Sequence, residues 1–173
     1  MQKTGSILIA LAFSSSVLAG YPSPPSPQNL TASIRTDGAK KTVERLYLSS
    51  RSKEWNSVIA KIQTGDSRWL TVAGELAAGT DAGTSTDLQI ALATALPKNP
   101  GGVLQLADTQ NFLSLPNLCG APFIEPSRTF LSAYLKQARQ ALRQLNKPVM
   151  EAKRTACLME IDKALLELSK SKK

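Results

Sequence analysis

Leu88 to Leu96 reads LQIALATAL, and its apolar residues are spread nearly all round a helical projection. A helix of that kind has no face to give to water, so neighbouring elements must wrap it. On both sides the chain supplies such neighbours, cut to length by helix punctuation. Thr64-Gly65-Asp66 opens a helix on which Trp69, Leu70, Val72, Ala73, Leu76 and Ala77 share one side, with Gly79 as its C′ residue. Thr84 reads as the N-cap of the LQIALATAL helix, with Asp87 three residues on in the capping-box position, and Pro97 marks its end. Asn99-Pro100 is a cap followed by an N1 proline and opens a short helix through Val103, Leu104 and Leu106. The stretch from Asp66 to Asp108 is therefore read as three packed helices, with the one at about 84–97 in the centre.

Upstream, Asp37 can cap a helix that carries Val43, Leu46 and Tyr47. A second helix from Ser52 places Trp55, Val58, Ile59 and Ile62 at i, i+3, i+4 and i+7. Downstream, Thr109 to Pro126 is interrupted by Pro116, Gly120, Pro122 and Pro126, yet contains Phe112, Leu113, Leu115, Leu118, Phe123 and Ile124. An irregular segment this apolar is expected to lie on the core. Ser127 caps a long helix to about Leu145, whose broad apolar face includes Phe130, Leu131, Tyr134, Leu135, Ala138 and Leu142. After Asn146-Lys147-Pro148 a final helix runs to about Ser169 with Met150, Cys157, Leu158, Ile161, Leu165 and Leu168 inward, and the two form an antiparallel hairpin. The expected fold is all-α: a single domain over 37–170 of six to seven helices around a central apolar one.

The N-terminus has the three parts of a signal peptide: Lys3, the apolar run ILIALAF, and the small-residue end Val17-Leu18-Ala19 before Gly20. Cleavage is expected after Ala19. Ser14, Ser15 and Ser16 interrupt the run too early for a membrane anchor, and no cysteine stands nearby to accept a lipid. The expected mature chain is exported, periplasmic or secreted, and bacterial in style. YPSPPSP, with four prolines in six residues, then reads as an extended, flexible leader over 20–36. Asn29-Leu30-Thr31 fits the glycosylation pattern, but no glycan is expected. Residues 171–173 read as a tail.

Cys119 and Cys157 are the only cysteines. In an exported chain a lone pair is expected to form a structural disulfide, and no CxxC spacing suggests redox chemistry. With Lys3 removed, 20 cations face 13 carboxylates, a net charge of +7. Lys136, Arg139, Arg143 and Lys147, with Arg128 before them, fall together on the face of the long helix opposite its apolar side. Like charges at this spacing repel, so helix stability alone does not explain them. Lys136, Arg139, Arg143 and Lys147 are the candidate partner-binding residues, for an acidic protein surface or an anionic envelope component, the alternative being a solvated face that only keeps a basic protein soluble. Nucleic acid ranks last, since aromatics are scarce and no reading motif is present. Arg154 joins them as a cation projected among Met150, Cys157, Leu158 and Ile161, where it either snorkels, pairs with a carboxylate or lines a pocket.

The chain contains no histidine. That excludes Ser-His and Cys-His nucleophile activation and removes the commonest metal ligand. Asp81 to Asp87 lacks the spaced acids of an EF-hand and reads as capping. Glu44, Glu54, Glu75 and Asp81 could supply the paired carboxylates of a glycosidase, but no motif orients them, and Glu75 projects toward solvent. No catalytic residue, metal or cofactor is therefore assigned. The expectation is a non-catalytic binding protein, in one version an immunity or inhibitor protein against a toxin or cell-wall enzyme. The alternatives are a carboxylate-dependent enzyme on envelope carbohydrate and an accessory subunit of an envelope assembly.

Overall fold

Caps and turns set the lengths of the elements. In the computed structural model, residues 25–49 and 52–170 are described, so the expected signal peptide, the residues next to its cleavage point and the 171–173 tail lie outside the described residues. Every regular element among the described residues is helical: α1 Pro27–Asp37, α2 Ala39–Leu48, α3 Lys53–Ile62, α4 Ser67–Ala77, α5 Ala82–Ala95, α6 Pro100–Leu106, α7 Leu115–Cys119, α8 Arg128–Gln144 and α9 Glu151–Lys170. Short 3-10 turns at Asn111–Leu113 and Pro148–Met150 link the later ones. The seven helices read from the sequence are present, and α1 and α7 are additional.

α1 corrects the expectation of a flexible leader to residue 36. Pro27 occupies the first turn, where its missing N–H is not needed, and the Ser26 side chain accepts from Asn29 N. Pro27 therefore does not prevent a helix from starting here. Leu30 is buried, Ile34 packs against the core, and the helix lies on α4. At its end Gly38, at φ 85°, closes α1 and starts α2, a left-handed conformation that glycine adopts without strain. Asp37 is consequently not the cap of α2; its carboxylate instead pairs with Arg45 at 3.0 Å.

α5 is the centre. Leu88, Ala91, Leu92, Ala95 and Leu96 are fully buried, and α3, α4, α6 and α7 pack around it. Its cap differs from the expected one by three residues. Asp81 Oδ1 accepts from Thr84 N at 3.0 Å, while Thr84 Oγ1 accepts from Asp81 N at 2.9 Å, a reciprocal capping box with Thr84 at N3. Asp87, released from that role, accepts a 2.8 Å hydrogen bond from Nε1 of the fully buried Trp55 on α3. Asp66, Asn99 and Ser127 cap α4, α6 and α8 as expected, and the stripes of α3 and α4 face inward.

Gly79, one residue beyond the Ala78 C-cap of α4, is the C′ residue as expected, and packing gives a further reason for a glycine there. It is a point of backbone contact: a Cβ there would stand 2.3 Å from the carbonyl carbon of Ala39 and 2.5 Å from Lys40 N. Only a residue without a side chain lets the end of α4 reach the start of α2. The irregular segment lies on the core as its composition demands, with Leu113, Leu118 and Cys119 fully buried. Cys119 at the end of α7 is bonded to Cys157 of α9, with Cα atoms 5.3 Å apart. α8 and α9 form the terminal hairpin. Arg128, at the start of α8, donates to the carbonyl of Leu168 near the end of α9, so the two helices run antiparallel.

Candidate functional site

α8 buries Tyr134, Leu135, Ala138 and Leu142. The Tyr134 hydroxyl donates to Ala93 O at 3.0 Å, which ties the hairpin to α5, and burial pushes the phenol above its ordinary pKa. At about 100° per residue, Lys136, Arg139 and Arg143 fall within an arc of about 60° on the opposite side. The structure divides these cations by their partners. Arg139 Nε lies 2.8 Å from Asp162 Oδ1 of α9, a contact that meets the ion-pair distance without hydrogen-bond direction. Lys136 and Arg143 have no ion pair among the described residues and are exposed. Lys147 has left the helix; it is exposed, and its ammonium stands over Gly101 of α6, where a Cβ would meet it at 3.3 Å.

Arg154 is engaged in the hairpin turn. Its Nη1 donates to Leu145 O at 3.2 Å, where α8 ends, and its Nη2 meets Glu151 Oε1 at 2.6 Å. A carbonyl left over at a helix end is satisfied in this way by a cation, which favours that end of the helix dipole.

A groove of about 680 Å³ lies beside the basic face. Its α8 wall is Thr129, Ser132, Ala133 and Lys136, and its α9 wall is Leu165, Leu168 and Ser169, with Arg128 at one end. The hydroxyl and methyl side chains of α8 leave room that larger residues would fill. Among the described residues no carboxylate lines it. Sequence reasoning found the cations but not the groove, which depends on small residues of one helix meeting leucines of another.

A second cleft, of about 660 Å³, lies between α2 and the α4–α5 turn and includes Lys40, Glu44, Tyr47, Leu48, Thr80 and Asp81. Two of the four candidate carboxylates, Glu44 and Asp81, thus share one site. The backbone N–H and hydroxyl of Thr84 lower the pKa of Asp81, which suits an ionised cap and not a proton donor. Glu75 corrects the expectation of a solvated side chain: it is half-buried and accepts from Thr31 Oγ1 at 2.8 Å, because α1 covers it. Glu54 stands apart, in the first turn of α3.

Among the described residues no group of three or more His, Cys, Asp or Glu side chains is placed to hold a metal ion, and no helix is long and apolar enough to cross a membrane. The fold and its surface define an all-helical domain with one disulfide and a cationic face beside a groove. No family profile, curated protein or solved structure matches this chain.

Proposed function

We propose that the chain is an exported, non-catalytic binding protein that engages an acidic macromolecular partner through the basic face of α8. In its most concrete form it is an immunity or inhibitor protein that occupies a toxin or a cell-wall enzyme. The observation that carries this reading is that, among the described residues, Lys136 and Arg143 have no ion pair and the groove beside them is lined by no acid. Uncompensated cations on a rigid helix attract an acidic surface and set the register in which it docks.

Charge reversal tests the reading. Arg139 is a poor position for it, since the change would also disrupt the contact with Asp162. Lys136→Glu/Arg143→Glu spares both residues of that contact. Immobilised mature protein is expected to retain an acidic partner from a periplasmic extract and release it as salt rises, and the double variant is expected to lose it. Equal capture by both proteins would remove the face from the mechanism. Intact mass of the exported chain tests the accompanying expectation of cleavage after Ala19.

One observation favours a second reading, a carbohydrate-acting enzyme: Glu44 and Asp81 line one cleft together with the half-exposed ring of Tyr47. Release of product from peptidoglycan fragments, abolished by Glu44→Gln, would favour it over the binding role.

A further inference from the structure

The groove between α8 and α9 has two unlike walls. On α8, Ser132 and Ala133 are small and Lys136 stands at the edge; on α9, Leu165 and Leu168 are only half-buried. Arg139, three residues beyond Lys136, meets Asp162 across the hairpin, which closes that end of the groove with an ion pair. Asp162 also fixes the direction of the outer flank. Met159 lies three residues before it and Leu166 four after, so both share its side of α9, and they are 68% and 54% exposed. Across the groove one thus passes from an unpaired cation, over a leucine floor, to an exposed apolar ridge.

Resting on the binding role proposed above, we infer that this groove seats a short amphipathic helix of the protein partner. The helix carries carboxylates on the flank over Lys136 and aliphatic side chains against Leu165, Leu168 and Leu166. Helix-in-groove recognition of this kind reads anchors at i, i+3, i+4 and i+7, and a groove of this size takes the side chains of a few such anchors. The shape selects a helix over a bilayer: the surface is concave, with its cation and its exposed apolar ridge on opposite rims, whereas an anionic membrane needs both on one convex face.

The test is a selection among displayed helical peptides of about 14 residues, or four turns, against the mature protein. Enriched sequences are expected to combine Asp or Glu on one flank with Leu-type residues at helical spacing. They should bind about ten-fold more weakly to Ala133→Trp, an exposed position where the indole fills the groove, and to Lys136→Glu, and should bind Lys61→Glu, an exposed position on α3 away from the groove, with little change. Circular dichroism verifies that each variant is folded. Enrichment insensitive to Ala133→Trp, or no enrichment, overturns the inference, as does capture of phosphatidylglycerol vesicles that Ala133→Trp abolishes. The inference and the reading beneath it fail separately. Partner capture lost in Lys136→Glu/Arg143→Glu but untouched by Ala133→Trp would leave the basic face in place and dismiss the groove. Peptides sensitive to Ala133→Trp, with partner capture indifferent to both charge reversals, would do the opposite.

Discussion

Replacing Cys119 and Cys157 together by alanine removes the one covalent tie between the irregular segment and the last helix. The sequence separation is 38, and closing a loop of that length in the unfolded chain is worth about 4 kcal/mol at 25 °C on the chain-entropy model. Both sulfurs are in fully buried residues, so the double variant also leaves a small void, which adds to the loss. For a chain of this size each kcal/mol corresponds to about 2–4 °C in Tm, giving an expected fall of roughly 8–16 °C. Urea and thermal unfolding followed by far-UV circular dichroism measure it, with the wild type in oxidised and reduced form as the internal comparison. α7 has only five residues and no helical stability of its own, so its amides should lose protection from exchange before those of α5. A stability loss under about 1 kcal/mol would refute the reasoning, since packing of Leu113 and Leu118 would then hold the segment unaided. Two free thiols in the exported protein would refute it earlier still.

Gly79→Ala is expected to destabilise by about 1–3 kcal/mol or more, because the new methyl meets backbone of Ala39 and Lys40 with no rotamer to relieve it; urea unfolding at unchanged m checks this. Asp87→Ala leaves the buried indole N–H of Trp55 without its acceptor and should cost about 1–3 kcal/mol, with a shift in tryptophan emission as water enters. Asp66, held down to about 2 from 3.8 by the hydrogen bonds and charge of Arg68, and Asp81, lowered by Thr84, both have folded-state pKa values below their unfolded ones. Their contribution is therefore complete above about pH 4 and is lost as the pH falls toward 2. Tm measured against pH should drop over that window, and Asp66→Asn/Asp81→Asn should have a lower neutral plateau with a flatter acid limb.

The sequence made most of the helices legible because their caps and stripes are local. Asp66, Asn99-Pro100 and Ser127 act within one turn, and Trp55, Val58 and Ile62 need only helical spacing to share a face. α1 escaped notice because YPSPPSP reads as extended and the helix after it buries only Leu30 fully, with Ile34 at its edge. The cap of α5 was ambiguous in principle, since Asp81–Thr84 and Thr84–Asp87 both have the spacing of a capping box. Trp55, far away in sequence, decides between them by taking Asp87. The candidate site divides in the same way. The basic stripe is periodic and could be read directly, whereas the neutralisation of Arg139 by Asp162 and the use of Arg154 by the Leu145 carbonyl depend on a second helix and a turn.

The central position of α5 also bears on the order in which the molecule can be completed. Its neighbours α3 and α4 precede it in the chain, but α6 and α7 follow, and Tyr134 and Cys157 arrive later still. A chain released N-terminus first therefore carries this helix of leucine and alanine covered only by α3 and α4 until α6 and α7 follow, and without the ties from Tyr134 and Cys157 until its last quarter emerges. Truncation before α6 would leave the apolar surface of α5 that α6 and α7 cover open to water.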